Sequence, residues 1–417
     1  MLLWHTLATY FRRKYGVRVQ KIPLDAGATC PNRDGTLSAR GCIFCNDSGS
    51  GSGMGLRGLD LRAQWDAWYT KYTTTDSDRL FMAYLQSFSN TYGPASRLAR
   101  LLEQVAALPG CRGIAVGTRP DCLDDEKLAL LAGCGLDEVW LELGLQTCRD
   151  DTLRRINRGH TARQAEEAVR AALDAGLLVC GHLMAGLPGE DEKDFLHGVD
   201  WAVSLGMQGL KLHNVYVPQG TELARQWQAG GYRPLARDEY VDMLCAALPR
   251  IPSTVVMQRI QADPAPGELL APAWALEKRG IITDLRRAMA ARGLWQGCRA
   301  AATEARPEWV GGEGIARGFF RRHGPVAWSR TEGKCRASRL RRWGICSPGT
   351  ASDRAAGRRT TVPALPCERA GFLAYFLPAD SCARGICSPR SMTCSQSFFF
   401  STSATPASRS VWPTPGG

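Results

Sequence analysis

Apolar residues in the first 300 positions fall into two alternating patterns. Short, nearly continuous apolar runs are typical of strands buried on both faces, and stretches with an apolar residue every three or four positions are typical of amphipathic helices. The predicted strands cover residues 17–26, 79–88, 113–118, 138–146, 177–187 and 209–217. The predicted helices cover residues 96–108, 124–133, 162–176, 191–206 and 220–230. A further strand-like run at 253–263 and two short helices complete the region.

Strands that alternate with helices in this way require a parallel sheet, so the pattern predicts an α/β fold. Six successive units indicate a partial (β/α)6 barrel of the TIM type. In such folds the active site is built from loops at the carboxyl ends of the strands.

The pattern stops near residue 300. Residues 300–417 are rich in Arg, Ser, Gly and Pro, and the sequence GICSP occurs there twice. We therefore predict one folded domain over residues 1–299, followed by a disordered basic tail over residues 300–417. The alternatives are a basic arm that binds RNA and a second metal site.

Composition and charge narrow the class of protein. The chain of 417 residues is 44% hydrophobic and 22% charged, and no apolar run approaches the roughly 20 residues of a membrane span. The net charge is +12, but residues 300–417 alone carry 17 Lys and Arg against 7 Asp and Glu. The amino terminus does not read as a signal peptide. We expect a cytoplasmic protein, in which 16 cysteines are not explained by disulfides.

Three cysteines follow the first predicted strand. Cys30, Cys42 and Cys45 are separated by eleven and two residues, with Phe44 as an apolar neighbour. Structural zinc and most iron–sulfur clusters take four protein ligands, and no fourth Cys or His lies at a matching short spacing. A cluster with three thiolates would leave one iron open to a substrate or cofactor. A zinc site and three purely structural thiols are the alternatives.

This loop and five motifs after it resemble radical S-adenosylmethionine (SAM) proteins. The resemblance is to the YhcC-like family, which is related to the radical domain of the Elongator catalytic subunit. The matching stretches are CPNRDGT, GCIFCN, VGTRPDC, VWLELGLQT, INRGH, HLMAGLPGE and LKLHNVY, in this order. The resemblance implies that Cys30, Cys42 and Cys45 hold a four-iron four-sulfur cluster whose open iron binds SAM. Reductive cleavage of SAM would then give a 5′-deoxyadenosyl radical that abstracts hydrogen from a C–H bond.

The resemblance also suggests residues around SAM. Phe44 would form an apolar wall, and Gln86, Ser87 and Ser89, after the second strand, would accept hydrogen bonds from its amino group. Arg158 could bind its carboxylate through two N–H groups, with His160 beside it as a second contact or as a helix cap.

The roles that the resemblance suggests for other positions along the strands are less specific. Glu142 and Gln146 would contact the ribose or the ammonium group, a polar network inside the barrel being the alternative. Gly186 would allow the backbone to approach adenine, an ordinary turn being the alternative. Lys211 and His213 are the candidate catalytic residues that would face the substrate. Arg119 and Asp121 are either cofactor contacts or a structural ion pair.

The expected function is that of a radical SAM enzyme that modifies a tRNA, at the side chain of a wobble uridine. The expected partners are tRNA and an electron donor such as flavodoxin or ferredoxin, with no membrane. Two alternatives remain open at this point: a radical SAM enzyme acting on a small metabolite or a peptide, and a non-catalytic scaffold that binds zinc or an iron–sulfur cluster.

Overall fold

The computed structural model describes residues 2–46, 58–74 and 79–300, and the single positions 49, 307 and 310. All of them belong to one compact unit, Met1–Arg330. Val310 is buried and pairs with Leu2. Apart from Ala300, Pro307 and Val310, the predicted tail lies outside the described residues, and the division of the chain at residue 299 stays a prediction.

Seven parallel strands form one sheet. They are β1 (Arg18–Leu24), β2 (Arg79–Leu85), β3 (Cys111–Thr118), β4 (Glu138–Gln146), β5 (Leu178–Ala185), β6 (Gly209–Asn214) and β8 (Val256–Arg259). Each strand pairs with the next one along the chain, and β1 does not pair with β8 among the described residues. The sheet is a curled half-barrel, so the predicted partial α/β barrel is confirmed, and the further strand-like run at 253–263 supplies its seventh strand, β8. The short strands β7 (Val217–Pro218) and β9 (Leu269–Ala271) form a separate antiparallel pair.

The helices lie between the strands along the chain. They are α1 (Leu7–Tyr15), α2 (Leu61–Thr73), α3 (Ala95–Ala106), α4 (Asp125–Ala132), α5 (Asp150–Arg155), α6 (Ala162–Asp174), α7 (Glu192–Ser204), α8 (Glu222–Gln228), α9 (Arg237–Ala247) and α10 (Lys278–Ala291). Side-chain caps such as Thr161 on α6 and Asp191 on α7 fix where helices begin. Within the described part of the chain, none has the length and apolar character that crossing a bilayer needs.

The main hydrophobic core lies between the sheet and these helices. Alternate strand residues such as Ile22, Leu85, Val116, Leu143 and Val179 are buried there. Since successive side chains of a strand point to opposite faces, the residues between them face the concave side of the half-barrel.

The helix α1, which the sequence pattern did not predict, packs against the concave face at the amino-terminal ends of the strands. Its Phe11 is buried in a second cluster, together with Met82, Tyr84 and Trp140. Because α1 occupies this end of the concave face, a ligand can approach the sheet from its carboxyl end.

A buried carboxylate fastens α1 to the sheet. Glu138 accepts hydrogen bonds from the hydroxyls of Tyr10 (2.8 Å) and Tyr15 (2.7 Å) and from Nε1 of Trp140 (2.8 Å), and it pairs with Lys14. Four donors thus satisfy a charge that would be costly to bury alone.

Candidate cofactor site

A cavity of about 160 Å³ opens at the carboxyl end of the sheet, where the fold class predicts an active site. All three cysteines of the loop after β1 line it. The other candidate residues on its lining are Phe44, Gln86, Ser89, Arg119, Glu142, Gln146 and Arg158. Six candidates are not on the lining: Ser87, Asp121, His160, Gly186, Lys211 and His213.

The cysteine loop is folded by its own backbone hydrogen bonds. The carbonyl of Cys30 accepts from the amides of Arg33 (2.8 Å) and Asp34 (3.1 Å), and the amide of Cys45 donates to the carbonyl of Cys42 (3.0 Å). Cys30 and Cys42 are buried and Cys45 is half-buried. These turns bring residues that are up to fifteen positions apart to one cavity.

The three thiols affect one another electrostatically. Burial raises the pKa of Cys45 to about 12, and the neighbouring Cys42 and Cys30 act in the same direction, while Arg33 and Arg158 oppose the shift. A thiol in this setting ionises readily only when a metal takes the place of its proton.

The donor set fits an iron–sulfur cluster. Soft thiolates are the ligands that such clusters prefer, and each thiolate binds a different iron. Among the described residues, no three His, Cys, Asp or Glu side chains are gathered as they would be around a single ion. Three thiols spread around a cavity are compatible with a larger, multi-iron group.

Arg158 lies directly behind the cysteine loop. Its NH1 donates to Sγ of Cys42 (3.6 Å), its NH2 to the carbonyl of Gly144 (2.6 Å) and its Nε to Nε2 of His160 (3.0 Å). Burial, together with the positive charge of Arg158, lowers the pKa of His160 to about 4, so His160 is neutral and accepts this bond. The guanidinium is thus held against the thiol of Cys42, and its predicted contact with the SAM carboxylate stays a prediction.

Two further residues beside the cysteines were not among the predicted ligands. Asn32, which is buried, donates from Nδ2 to Sγ of Cys42 (3.6 Å) and to the carbonyl of Asn157. Arg33 lines the cavity and donates to the carbonyl of Cys45 (3.3 Å). Both belong to the CPNRDGT motif, and this motif was the sequence signal from which they could have been identified.

Arg119 also lines the cavity, and its partner is now clear. It makes a bidentate ion pair with Asp121, from Nε at 2.9 Å and from NH2 at 2.8 Å. The ion pair of the two alternatives is therefore present, and a contact of Arg119 with the cofactor stays a prediction. The buried NH1 of Arg119 has no hydrogen-bond partner among the described residues.

The segment after β2 carries the predicted contacts to the SAM amino group. Asn90 fixes this segment through Nδ2, which donates to the carbonyls of Leu85, Ser87 and Gly117. Gln86 and Ser89 belong to the cavity lining, whereas Ser87 does not. The hydroxyls of both serines are buried without a hydrogen-bond partner in the described structure. Their predicted role is therefore compatible with the placement of Gln86 and Ser89 and has less support for Ser87.

Glu142 forms the floor of the cavity, where it already has partners. Its carboxylate lies 2.6 Å from Nζ of Lys21 and 3.3 Å from Nε2 of His182, and it also pairs with Lys211. Burial alone would raise the pKa of Glu142, but the two ammonium groups hold it well below its usual range. The contacts are those of a polar network inside the barrel, and a contact of Glu142 with SAM stays a prediction.

Tyr84 completes this floor. Its ring lies between the two ammonium groups, 4.2 Å from Nζ of Lys21 and 4.7 Å from Nζ of Lys211, and its hydroxyl accepts from Lys211 at 3.0 Å. Lys211 therefore lies next to the lining, behind Glu142. The centroid of the His213 ring lies 5.6 Å from the centroid of the His182 ring.

Gly186 is placed away from the cavity. It has a φ of +84°, its carbonyl accepts from the hydroxyl of Tyr232 (2.8 Å), and a Cβ there would lie 2.8 Å from Cγ of Leu235. These are the requirements of a tight turn, and its predicted approach to adenine stays a prediction.

Comparisons with known proteins agree with the geometry. The model of the Radical SAM superfamily matches residues 39–202, and that of the Radical_SAM C-terminal domain matches residues 207–291. The chain is 35% identical over 297 residues to YtqA of Bacillus subtilis, covering 70% of this chain and 92% of that protein. It is 34% identical over 285 residues to YhcC of Escherichia coli, covering 68% of this chain and 91% of that protein.

A second group of relatives matches over a shorter part. The chain is 31% identical over 160 residues to the tRNA uridine(34) acetyltransferase of Methanocaldococcus jannaschii, covering 37% of this chain and 28% of that protein. Elongator complex protein 3 of several eukaryotes matches over a similar length.

Proposed function

The chain belongs to the radical SAM superfamily and to the family of YtqA and YhcC, and from this we propose that it cleaves SAM reductively to modify a tRNA. Members of the superfamily bind a four-iron four-sulfur cluster and SAM, and the protein is an iron–sulfur radical SAM enzyme. The recognition of the YhcC-like family from sequence motifs is confirmed, as is its relation to the Elongator radical domain.

One arrangement carries the proposal: three thiols around a single cavity, with Arg158 bonded to one of them. When bound, the cluster and SAM supply an electron and the 5′-deoxyadenosyl radical that removes hydrogen from the substrate. The residues of this chain bind and orient these groups. Cys30, Cys42 and Cys45 would hold the cluster, while Phe44 and Phe88 on the lining would shield it from water.

Arg158 and Asn32 would serve the cluster in a second way. Both donate to Sγ of Cys42, and hydrogen bonds to the ligand sulfur of an iron–sulfur cluster raise its reduction potential. A higher potential eases delivery of an electron from a donor such as flavodoxin or ferredoxin, which is the class of partner that we propose.

The tRNA substrate is supported by similarity alone. The relative that acts on tRNA uridine 34 aligns with 37% of this chain, and the Elongator proteins with a comparable share. We propose a wobble uridine side chain as the site of modification.

Anaerobic reconstitution tests the cofactor chemistry. The full chain, supplied with iron and sulfide, should become brown, and with SAM and a reductant it should release 5′-deoxyadenosine. Cys30→Ala should lose both properties, whereas Cys298→Ala, a half-buried cysteine that is not on the cavity lining, should keep them. Stoichiometric zinc without SAM cleavage would contradict the proposal.

Nucleoside analysis tests the substrate. tRNA from cells that lack the gene should lose or accumulate a modified uridine, and the gene for the wild-type chain, but not that for Cys30→Ala, should restore the profile. An unchanged profile would exclude tRNA modification and point to a small metabolite or a peptide.

A further inference from the structure

The floor of the cavity holds more positive than negative charge. Three basic side chains lie next to the lining without belonging to it: Lys21 on β1, Lys211 on β6 and Arg259 on β8. Among the described residues, Glu142 on β4 is the only carboxylate that pairs with any of them. Glu142 is fully buried and Lys211 nearly so, while the side chain of Lys21 is 17% exposed. Arg259 is half-buried, so the cluster combines one anion with three cations that are wholly or partly shielded from water.

Arg259 reaches this place through an irregularity in the sheet. Gly209 pairs with Val256 and Leu210 with Met257, but Lys211 pairs with Arg259, so the register skips Gln258. A bulge of this kind re-aims the side chains that follow it. The bulge sets Arg259 beside Lys211. The guanidinium of Arg259 has no carboxylate partner in the described part of the chain.

The two histidines of the floor add no charge that could offset the imbalance. Burial, with the positive charges of Lys211 and Arg259, lowers the pKa of His182 to about 4, and burial lowers that of His213 well below its usual range. Both rings are neutral at pH 7. Nε2 of His213 and Nε2 of Gln258 are buried without a hydrogen-bond partner among the described residues.

Unbalanced buried charge is costly, and an anion among these groups would remove the cost. The floor is reached from the cavity, because Tyr84, Glu142 and His182 belong to its lining. Resting on the proposed function, in which the cysteine end of the cavity holds the cluster and SAM, we propose that the floor binds an oxyanion of the substrate. Lys21, Lys211 and Arg259 would hold a carboxylate or a phosphate group and so set the substrate against the cofactor end of the cavity.

Direct titration tests this oxyanion site. Isothermal titration calorimetry of the full chain with sodium phosphate and with sodium acetate, in a buffer of low ionic strength, should show saturable binding of at least one. Lys21→Met and Arg259→Met should each weaken that binding about tenfold, whereas Arg259→Lys, which keeps the charge, should stay near wild type.

Matched surface variants serve as controls. Lys278→Met and Arg250→Met break the exposed pairs with Asp263 and Asp200, and they should leave the affinity unchanged. Absence of saturable binding, or an affinity that none of the floor variants changes, would overturn the oxyanion site. So would an equal loss in the controls.

The two salts also distinguish the source of the oxyanion. Tighter binding of phosphate supports a substrate that presents a phosphate, and tighter binding of acetate supports one that presents a carboxylate. The titration requires neither SAM nor reductant. A chain that binds the anion but does not cleave SAM would therefore contradict only the proposed function, and a chain that cleaves SAM without binding either anion would contradict only the oxyanion site.

Discussion

Arg158 joins the cysteine loop to the central strand of the sheet, because its NH1 donates to Sγ of Cys42 and its NH2 to the carbonyl of Gly144. The two contacts, at 3.6 Å and 2.6 Å, fix the guanidinium beside a thiol that we assign to the cluster. A positive charge at this distance favours the more negative, reduced state of an iron–sulfur group.

Replacing Arg158 should therefore lower the reduction potential of the reconstituted cluster. For Arg158→Met we expect a fall of roughly 50–100 mV in the midpoint potential, measured by anaerobic titration followed by electron paramagnetic resonance. In Arg158→Lys, which keeps a positive charge, the midpoint potential should fall less. Arg154→Met removes an exposed arginine of α5, and it should leave the potential as in wild type. A midpoint potential that is equal in all four proteins would refute this role.

Gly144→Ala should disturb the contact between Arg158 and the backbone of β4. A Cβ at this position would lie 2.6 Å from NH2 of Arg158 and 2.8 Å from Nε2 of Gln146, so both side chains must move. We expect a loss of about 1–3 kcal/mol in the free energy of unfolding, measured in urea, and a lower iron content after reconstitution.

Gly198 provides the matched control for that substitution. It lies within α7, and a Cβ there meets no atom within 4 Å. Gly198→Ala should raise the free energy of unfolding by about 0.4–1 kcal/mol, because alanine loses less backbone entropy on folding. An iron content that falls equally in both variants would show that the effect of Gly144→Ala does not depend on Arg158.

Glu138→Gln should loosen α1 from the sheet. The carboxylate accepts from Tyr10, Tyr15 and Trp140 and pairs with Lys14, and the neutral amide can satisfy fewer of these donors. We expect a loss of about 3 kcal/mol in the free energy of unfolding in urea. The exposed Glu103→Gln on α3 should change it by less than about 0.5 kcal/mol. Equal stabilities for the two variants would mean that the buried carboxylate does not fasten α1.

Acidification should destabilise the protein through His182. Its pKa is lowered from the ordinary 6.5 to about 4 in the folded chain, chiefly by burial. Below pH 6.5 the unfolded chain therefore binds a proton that the folded chain does not, so stability falls as the pH drops from 6.5 towards 4. At about pH 5 the contribution is roughly 2 kcal/mol.

The measurement is the free energy of unfolding in urea at about pH 7 and about pH 5. His182→Asn cannot take up this proton, so its stability should fall less than that of wild type between the two conditions. His197→Asn removes an exposed histidine of α7 and should behave as wild type. If His182→Asn loses as much stability as wild type, the acid sensitivity has another origin.

The sequence predicted the strands well because most are buried on both faces. The run at 138–146 matches β4 to the residue, since seven of its nine residues are buried and only Val139 and Gln146 are half-buried. The helix α1 was missed because its burial depends on one aromatic face and on a contact with Glu138. Glu138 lies 123 or more positions along the chain from its partners on α1. Nothing local to LATYFRRKY indicates that contact.

The candidate site was only partly predictable, because some of its contacts are local in the sequence and others are not. The cysteine spacing is a local signal, and it located the three thiols that share the cavity. The partners of Glu142 are not local: Lys21 is 121 residues away and Lys211 is 69 residues away. Only the curvature of the sheet brings them together, so the sequence left a cofactor contact and a polar network inside the barrel as alternatives for Glu142.

Glu138 and Glu142 stand four residues apart on β4, the middle strand of seven. The central strand of a sheet exchanges its amide hydrogens most slowly, whereas a loop held by a few turns opens at a much lower free energy. We therefore expect the amide hydrogens of the loop from Cys30 to Cys45 to exchange sooner than those of the floor beneath it. Iron and sulfide would then be installed in a chain that is already folded, and an oxidised cluster could be replaced without unfolding it.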